Sequence, residues 1–254
     1  MNRHLITLLA LTTLHLNAHR IITTGAPKSG INFLADCICQ LINSTKKTSI
    51  KGDMELTEAQ MQRLGRDYDL LVGTPVCNEA NVALAHRYNA KVVYIVRNPL
   101  DQLASTAQTI HSYRRHVPAA KHKDVSAILM DLIREGADYY RQQYDYTQVN
   151  DVHGIADLYA LWQGWCDEPN VLVVRYEDLV NDATRARALK TIADFLGLSL
   201  SQQHIDNISK KMFGGYFSFF KKKPSVGGWK KVFTPQHVAA FKLVASDLMQ
   251  TLAY

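Results

Sequence analysis

The sequence predicts an α/β domain in which a central parallel sheet is flanked by helices. Two observations carry that expectation. β-branched or apolar runs recur at 21–24, 69–74, 92–96 and 171–174, and stretches of helical patterning alternate with them. Such alternation favours parallel strands joined by right-handed crossovers. At 254 residues the chain is long enough to bury a sizeable core.

The chain opens on Arg3 and an apolar run from Leu5 to Leu16. That run is too short to span a bilayer as a helix, although its length suits the apolar region of a signal peptide. Leu16-Asn17-Ala18 makes a poor small-x-small cleavage site, and a strand begins almost at once. Residues 1–19 are therefore expected to form a helix or extension packed on the domain. Residues 20–254 are expected to form one α/β domain.

Ile21-Ile22-Thr23-Thr24 reads as a buried strand, and the mostly apolar stretch 31–42 as a buried helix. Between them lies Gly25-Ala26-Pro27-Lys28-Ser29-Gly30. Gly25 and Gly30 have the G-x-x-x-x-G spacing of a Walker A loop, but Ile31-Asn32 stands where Lys and Ser/Thr should follow. The lysine sits inside the loop, at Lys28. A glycine-rich turn from strand to helix aims backbone N–H groups at one point, and the helix dipole adds positive charge there. Lys28 adds a full charge, while Ser29 and Asn32 add donors. The site suits an anion. Without the Mg²⁺-binding hydroxyl, it points to a donor other than ATP or GTP. Taken alone, the motif fits a helix-capping turn about as well.

Thr57-Glu58-Ala59-Gln60 fits a capping box and opens a short helix. Asp69 to Thr74 reads as a second strand and Val92 to Val96 as a third. Asn98-Pro99 starts a helix, with Asn as cap and Pro at the first position. Arg97 then lies at a strand end, near the carboxyl edge where α/β sheets bind ligands. Ser105 lies about two turns into the next helix. An Arg fork is a natural phosphate partner. Residues 106–165 read as a polar helical cover, and Val171 to Val174 as a further strand. Ala188 to Leu196 reads as a helix stopped by Gly197. Thr234-Pro235 opens the last helix, which carries Val238, Phe241, Val244, Leu248 and Leu252 on a helical period.

Lys plus Arg is 29 and Asp plus Glu 23, a net charge of +6. That balance suits anionic ligands. The basic residues are scattered, apart from Lys221-Lys222-Lys223 and Lys230-Lys231, and no zinc-finger or RNA-recognition signature accompanies them. Nucleic acid is not an expected partner. Cys37 and Cys39 are two apart on a helix and do not share a face, which argues against a disulfide framework or a zinc site. Free thiols fit a reducing, cytoplasmic compartment. A secretory or membrane-associated location through the apolar N-terminus is the alternative. His15 and His19 have i, i+4 spacing but read as solvated or capping residues, so no metal is expected. The sequence does not specify an oligomeric state.

Four segments together resemble the sulfotransferases that use 3′-phosphoadenosine 5′-phosphosulfate (PAPS). Pro27-Lys28-Ser29-Gly30-Ile31-Asn32-Phe33 is similar to that family's 5′-phosphosulfate loop. Arg97-Asn98-Pro99 with Ser105 resembles its 3′-phosphate segment, and Arg175-Tyr176-Glu177-Asp178-Leu179 its Tyr-Glu-Asp-Leu turn. Gly227-Gly228-Trp229-Lys230 with Phe233-Thr234 resembles its late Gly-x-Trp-Lys motif. The order and spacing fit from about residue 20 to the C-terminus.

The resemblance implies a three-layer P-loop-type fold and PAPS as sulfuryl donor, with no metal required. It makes Lys28 the residue at the bridging oxygen. Ser29, Gly30, Ile31 and Asn32 are expected at the 5′ end, and Arg97 and Ser105 at the 3′-phosphate. Tyr176 and Phe33 are expected beside adenine. Lys222 and Lys223 stand where the family's Arg-Lys-Gly loop closes. The acceptor is expected to be a small molecule or carbohydrate, with residues 106–165 covering its cleft.

Two departures stand out. Ile31 replaces a Thr that usually contacts the donor. The family's histidine base is missing from Gly73-Thr74-Pro75-Val76-Cys77-Asn78-Glu79. Glu79 is a candidate base because it follows a strand end, and His111 and His116 are alternatives. Surface placement is the plainer reading of each. Two other functions stay open at this point: a degenerate PAPS-binding protein, and a P-loop nucleotide kinase.

Overall fold

The computed structural model describes residues 19–50, 55–136, 155–213 and 226–254. Residues 1–18 of the expected N-terminal extension, Lys222 and Lys223 lie outside these residues. So does 137–154 of the expected cover.

Five strands form one parallel sheet: β1 (Ile21–Thr24), β2 (Lys47–Ser49), β3 (Leu70–Val72), β4 (Lys91–Val96) and β5 (Val171–Arg175). Their order is β2-β3-β1-β4-β5, and every pairing is parallel. β1 lies at the centre, flanked by β3 and β4. The chain leaves β1 toward β2 and leaves β4 toward β5, in opposite directions across the sheet. The carboxyl ends of β1 and β4 therefore define a topological switch point, where open α/β sheets bind ligands.

Ten helices belong to the described residues: α1 (Ile31–Leu41), α2 (Glu58–Arg63), α3 (Glu79–Arg87), α4 (Pro99–Ser112), α5 (Val125–Glu135), α6 (Ile155–Gln163), α7 (Tyr176–Val180), α8 (Asp182–Leu196), α9 (Gln202–Lys211) and α10 (Pro235–Thr251). Successive strand residues face opposite sides of a sheet, and here they sort into two cores. Ile22, Leu71, Val92, Tyr94 and Val96 pack with α4, α5, α6 and α10. Ile21, Leu70, Val72, Val93 and Ile95 pack with α1, α8 and α9. Both faces of the inner strands are covered, which is why β1, β3 and β4 read as continuous apolar or β-branched runs.

Several expectations need correction. β2 was not anticipated, because Lys47-Thr48-Ser49 is short, polar and exposed, as an edge strand should be. The run 69–74 is a strand only over Leu70–Val72. The helix expected from Ala188 begins earlier, at Asp182, where the Asn181 side chain accepts from Ala183 N. Two 3₁₀ turns, Arg114–His116 and Pro118–Ala120, interrupt the helical cover. In α10, Val244 is 43% exposed and Ala245 is buried instead, because Ala245 has non-helical angles (φ −149°, ψ 33°) that break the period.

The caps at Thr57, Asn98 and Thr234 form as expected, and Gly197 ends α8. The cysteines are free, and burial pushes the Cys37 thiol far above its usual range. Among the described residues no helix is long and apolar enough to cross a membrane.

Candidate functional site

A cleft of about 720 Å³ opens at the carboxyl ends of β1, β3 and β4. Three of its walls come from the loop between β1 and α1, from α4, and from the start of α7. The loop is tight. Ser29 N donates to Ala26 O at 3.1 Å, and Leu34 N donates to Gly30 O at 2.9 Å, the first bond of α1. Gly30 caps that helix without any side-chain hydrogen bond. The first N–H groups of a helix have no partner within it, so this end of α1 offers backbone donors to the cleft.

Two glycines are required by space. A Cβ on Gly25 would lie 2.6 Å from the Ile95 carbonyl oxygen. Gly30 has φ 105°, and a Cβ there would lie 2.6 Å from the Tyr176 ring. Lys28 adopts φ 69°, an uncommon angle for a residue with a side chain. It is exposed and lines the cleft. Ser29 is 1% exposed. Its Oγ has no hydrogen-bond partner among the described residues, and neither does Oε1 of the neighbouring buried Gln102. A buried hydroxyl without a partner is costly, and a bound anion removes that cost.

Arg97 leaves the end of β4 and meets this loop. Its Nη1 donates to the Lys28 carbonyl at 3.1 Å, and its guanidinium lies 4.3 Å from the centre of the Tyr176 ring. Gln102 Nε2 donates to Pro27 O at 3.0 Å, so α4 grips the same loop one turn further on. Ser105 lines the cleft from α4, together with Asp101, Gln108, Thr109 and Ser112 on the same side of that helix. Phe33 completes an aromatic wall. Its ring meets Tyr176 edge-on at 5.9 Å and stacks on Phe213 at 5.8 Å.

Of the residues singled out from the sequence, Lys28, Gly30, Ile31, Asn32, Phe33, Arg97, Ser105 and Tyr176 all line this one cleft. Ser29 is buried beneath it. Glu79 and His111 do not line it. Glu79 is exposed at the first turn of α3, and His111 is half-buried in the last turn of α4. His116 is exposed in a 3₁₀ turn. Lys28, Arg97, Asp101 and Tyr176 are the titratable side chains among the described residues of the lining.

Two carboxylates escaped the sequence reading. Asp101 is 3% exposed and accepts from Gly227 N at 2.7 Å and Trp229 N at 2.9 Å. It pins the turn that brings Gly228 to the cleft. Glu177 accepts from Asn98 N at 2.9 Å, directly after Arg97. A signal for Asp101 was present: it stands four residues before Ser105 and so shares its helix face.

A strand, a glycine turn, a buried helix and an arginine at the neighbouring strand end define an anion-binding α/β protein of the P-loop class. The comparisons narrow this further. The family model described as "Sulfotransferase domain" matches residues 83–253, and the chain belongs to that family. Its matched range begins after the Lys28 loop, so the loop stands on its own geometry. A 3-alpha-hydroxysteroid sulfotransferase of Cavia porcellus is 24% identical over 259 residues, covering 90% of this chain and 83% of the relative. The Homo sapiens protein "Sulfotransferase 6B1" is 26% identical over 248 residues, covering 89% and 74%. The crystal structure of mouse sulfotransferase SULT7A1 complexed with PAP superposes with a TM-score of 0.62 at 22% identity, covering 92% of this chain and 84% of that one. It shows the fold. Family membership makes sulfuryl transfer the general activity.

Proposed function

We propose that this chain transfers a sulfuryl group from PAPS to a hydroxyl or amine of a small-molecule or carbohydrate acceptor. One observation carries the reading: Arg97 reaches across the switch point to the backbone of Lys28, at 3.1 Å, and so joins two phosphate-suited groups in one cleft. The residues present fit the donor. Ser29 Oγ is a buried hydroxyl that lacks a partner among the described residues, and Lys28, Asn32, Arg97 and Ser105 line one cleft beside it.

PAPS supplies the sulfuryl group in activated form, as a mixed anhydride with a phosphate leaving group. Lys28 holds positive charge where the leaving oxygen becomes negative, the placement that most lowers such a barrier. Ser29, Gly30 and Asn32 offer donors to the 5′ end, and Ile31 adds its backbone N–H. Arg97 and Ser105 hold the 3′-phosphate, while Tyr176 and Phe33 flank the base. The reading requires no metal, because Asn32 stands where a Walker A loop places its Mg²⁺-binding hydroxyl. The described lining beyond Lys28 carries no His or Glu. An acceptor with a low-pKa hydroxyl, or an amine, needs less help from a base.

A thermal-shift titration with 3′-phosphoadenosine 5′-phosphate (PAP) tests the donor site. At a hundredfold excess over Kd, preferential binding stabilises the native state by about 2.7 kcal/mol. For a domain of this size that is a rise in Tm of about 5–10 °C. The rise is expected in EDTA. Stabilisation by ATP with Mg²⁺ and none by PAP would overturn the proposal.

A further inference from the structure

We propose that the C-terminal Tyr254 is a positioning residue for the donor site, acting through Glu177 on the strand end that carries Arg97. This inference rests on the donor reading above.

The chain of contacts is short. Tyr254 OH donates to Glu177 Oε2 at 2.6 Å. Glu177 Oε1 accepts from Asn98 N at 2.9 Å. Asn98 in turn caps α4, its side chain accepting from Leu100 N and Asp101 N at 3.0 and 3.4 Å. One carboxylate thus joins the last residue of the chain to the joint between β4 and α4. Arg97 precedes that joint and Ser105 follows it, so its backbone angles set how far apart the two side chains proposed for the 3′-phosphate stand. Glu177 also adjoins Tyr176, whose ring lies against both the Arg97 guanidinium and Gly30.

The terminus is held in place by more than its hydroxyl. Arg175 stacks over the Tyr254 ring at 4.6 Å and donates from Nη2 to Leu252 O at 2.8 Å. Tyr254 N donates to Met249 O at 2.7 Å, and Leu252 is 6% exposed in the core. Burial and the Glu177 carboxylate both push the Tyr254 hydroxyl far above its usual range, so it stays a donor at any physiological pH. Fixing a residue so firmly beside Glu177, away from the cleft lining, gives it a role in geometry rather than contact with substrate.

The ring and the hydroxyl separate cleanly. Tyr254→Phe keeps the ring on Arg175 and the packing of Leu252, and removes only the bond to Glu177. Loss of one hydrogen bond to a charged group is expected to weaken PAP binding about fivefold by calorimetry. Hydrogen exchange at the Asn98 amide should rise in the unliganded protein, while the unliganded Tm changes little. Glu177→Gln should raise exchange at the same amide. If wild type binds PAP and Tyr254→Phe binds it equally well, with unchanged exchange at Asn98, the positioning role is wrong while the donor site stands. A lower Tm with unchanged PAP affinity would mean a merely structural role and also overturn it. If wild type itself fails to bind PAP, the donor reading and this inference fall together.

Discussion

The loop after β1 and the loop after β3 are both fixed rigidly, but they present opposite chemistry to the same cleft. The first is gripped by Arg97, Gln102 and the Tyr176 ring, and it offers Lys28 and the N-terminus of α1. The second is gripped no less tightly. Thr24 Oγ1 and Trp165 Nε1 donate to Pro75 O at 2.8 and 3.1 Å, Trp162 Nε1 donates to Thr74 O at 3.0 Å, and Asn81 Nδ2 donates to Val76 O at 2.9 Å. Yet what it shows the cleft is Gly73 and Thr74, without charge. Order alone therefore does not distinguish the two sides. One side fixes cations and N–H groups for an anion, and the other fixes shape. In the proposed reaction the catalytic burden falls on the donor side, and chiefly on Lys28.

The largest test of that asymmetry is Lys28→Ala. Removing a preorganised charge from the position where negative charge develops costs about 10²–10³-fold in rate. Label transfer from radiolabelled PAPS to an acceptor library should fall by that factor. PAP should still shift the melting temperature, because Arg97, Ser29 and the helix terminus remain. Transfer at the wild-type rate would mean that the donor side is a binding site without the chemistry assigned to it.

Paired glycine substitutions sharpen the comparison at a smaller scale. Gly30→Ala forces a side chain to φ 105° and into the Tyr176 ring, and is expected to cost about 1–3 kcal/mol. Because Tyr176 also carries Arg97, the PAP-induced shift should shrink as well. Gly73→Ala puts a Cβ 2.6 Å from the Ile50 Cβ, in a backbone that needs no glycine. It should cost about 1–3 kcal/mol by overpacking and leave the PAP-induced shift intact. Differential scanning fluorimetry with and without PAP reads both. Equal loss of the shift in the two variants would erase the distinction between the loops.

The sequence was legible where one residue's chemistry dictates its place. Gly25, Lys28 and Gly30 marked the loop once the Arg97, Tyr176 and Trp229 segments were read with them, because the glycine spacing alone fits a helix-capping turn about as well. Asn98-Pro99 and Thr234-Pro235 marked helix starts, because capping is local. What stayed illegible depends on partners far along the chain. Glu177 matters through Asn98 and Tyr254, each 79 or 77 positions away in sequence. Asp101 matters through two backbone groups beyond residue 226. β2 was missed because a polar edge strand has no pattern of its own. Val244 was misplaced because the non-helical angles at Ala245 break the regular period on which it was placed.

The smallest expected effect concerns the residues that sequence reasoning offered as bases. Glu79 sits at the first helical turn of α3, beside the Asn78 cap, where a carboxylate favours the helix dipole. His111 sits in the last turn of α4, where a cation does the same. Both positions have an adequate structural reason that requires no contact with an acceptor, and neither side chain lines the cleft. Glu79→Gln and His111→Gln should each change the transfer rate by less than about twofold while costing about 0.3–1 kcal/mol of stability at most. A tenfold loss of transfer in either variant, with the PAP-induced shift intact, would place a base on the side of the cleft that now offers only shape. That result would move the proton from the acceptor's own acidity to a protein group, and the comparison between the two loops would have to be redrawn around it.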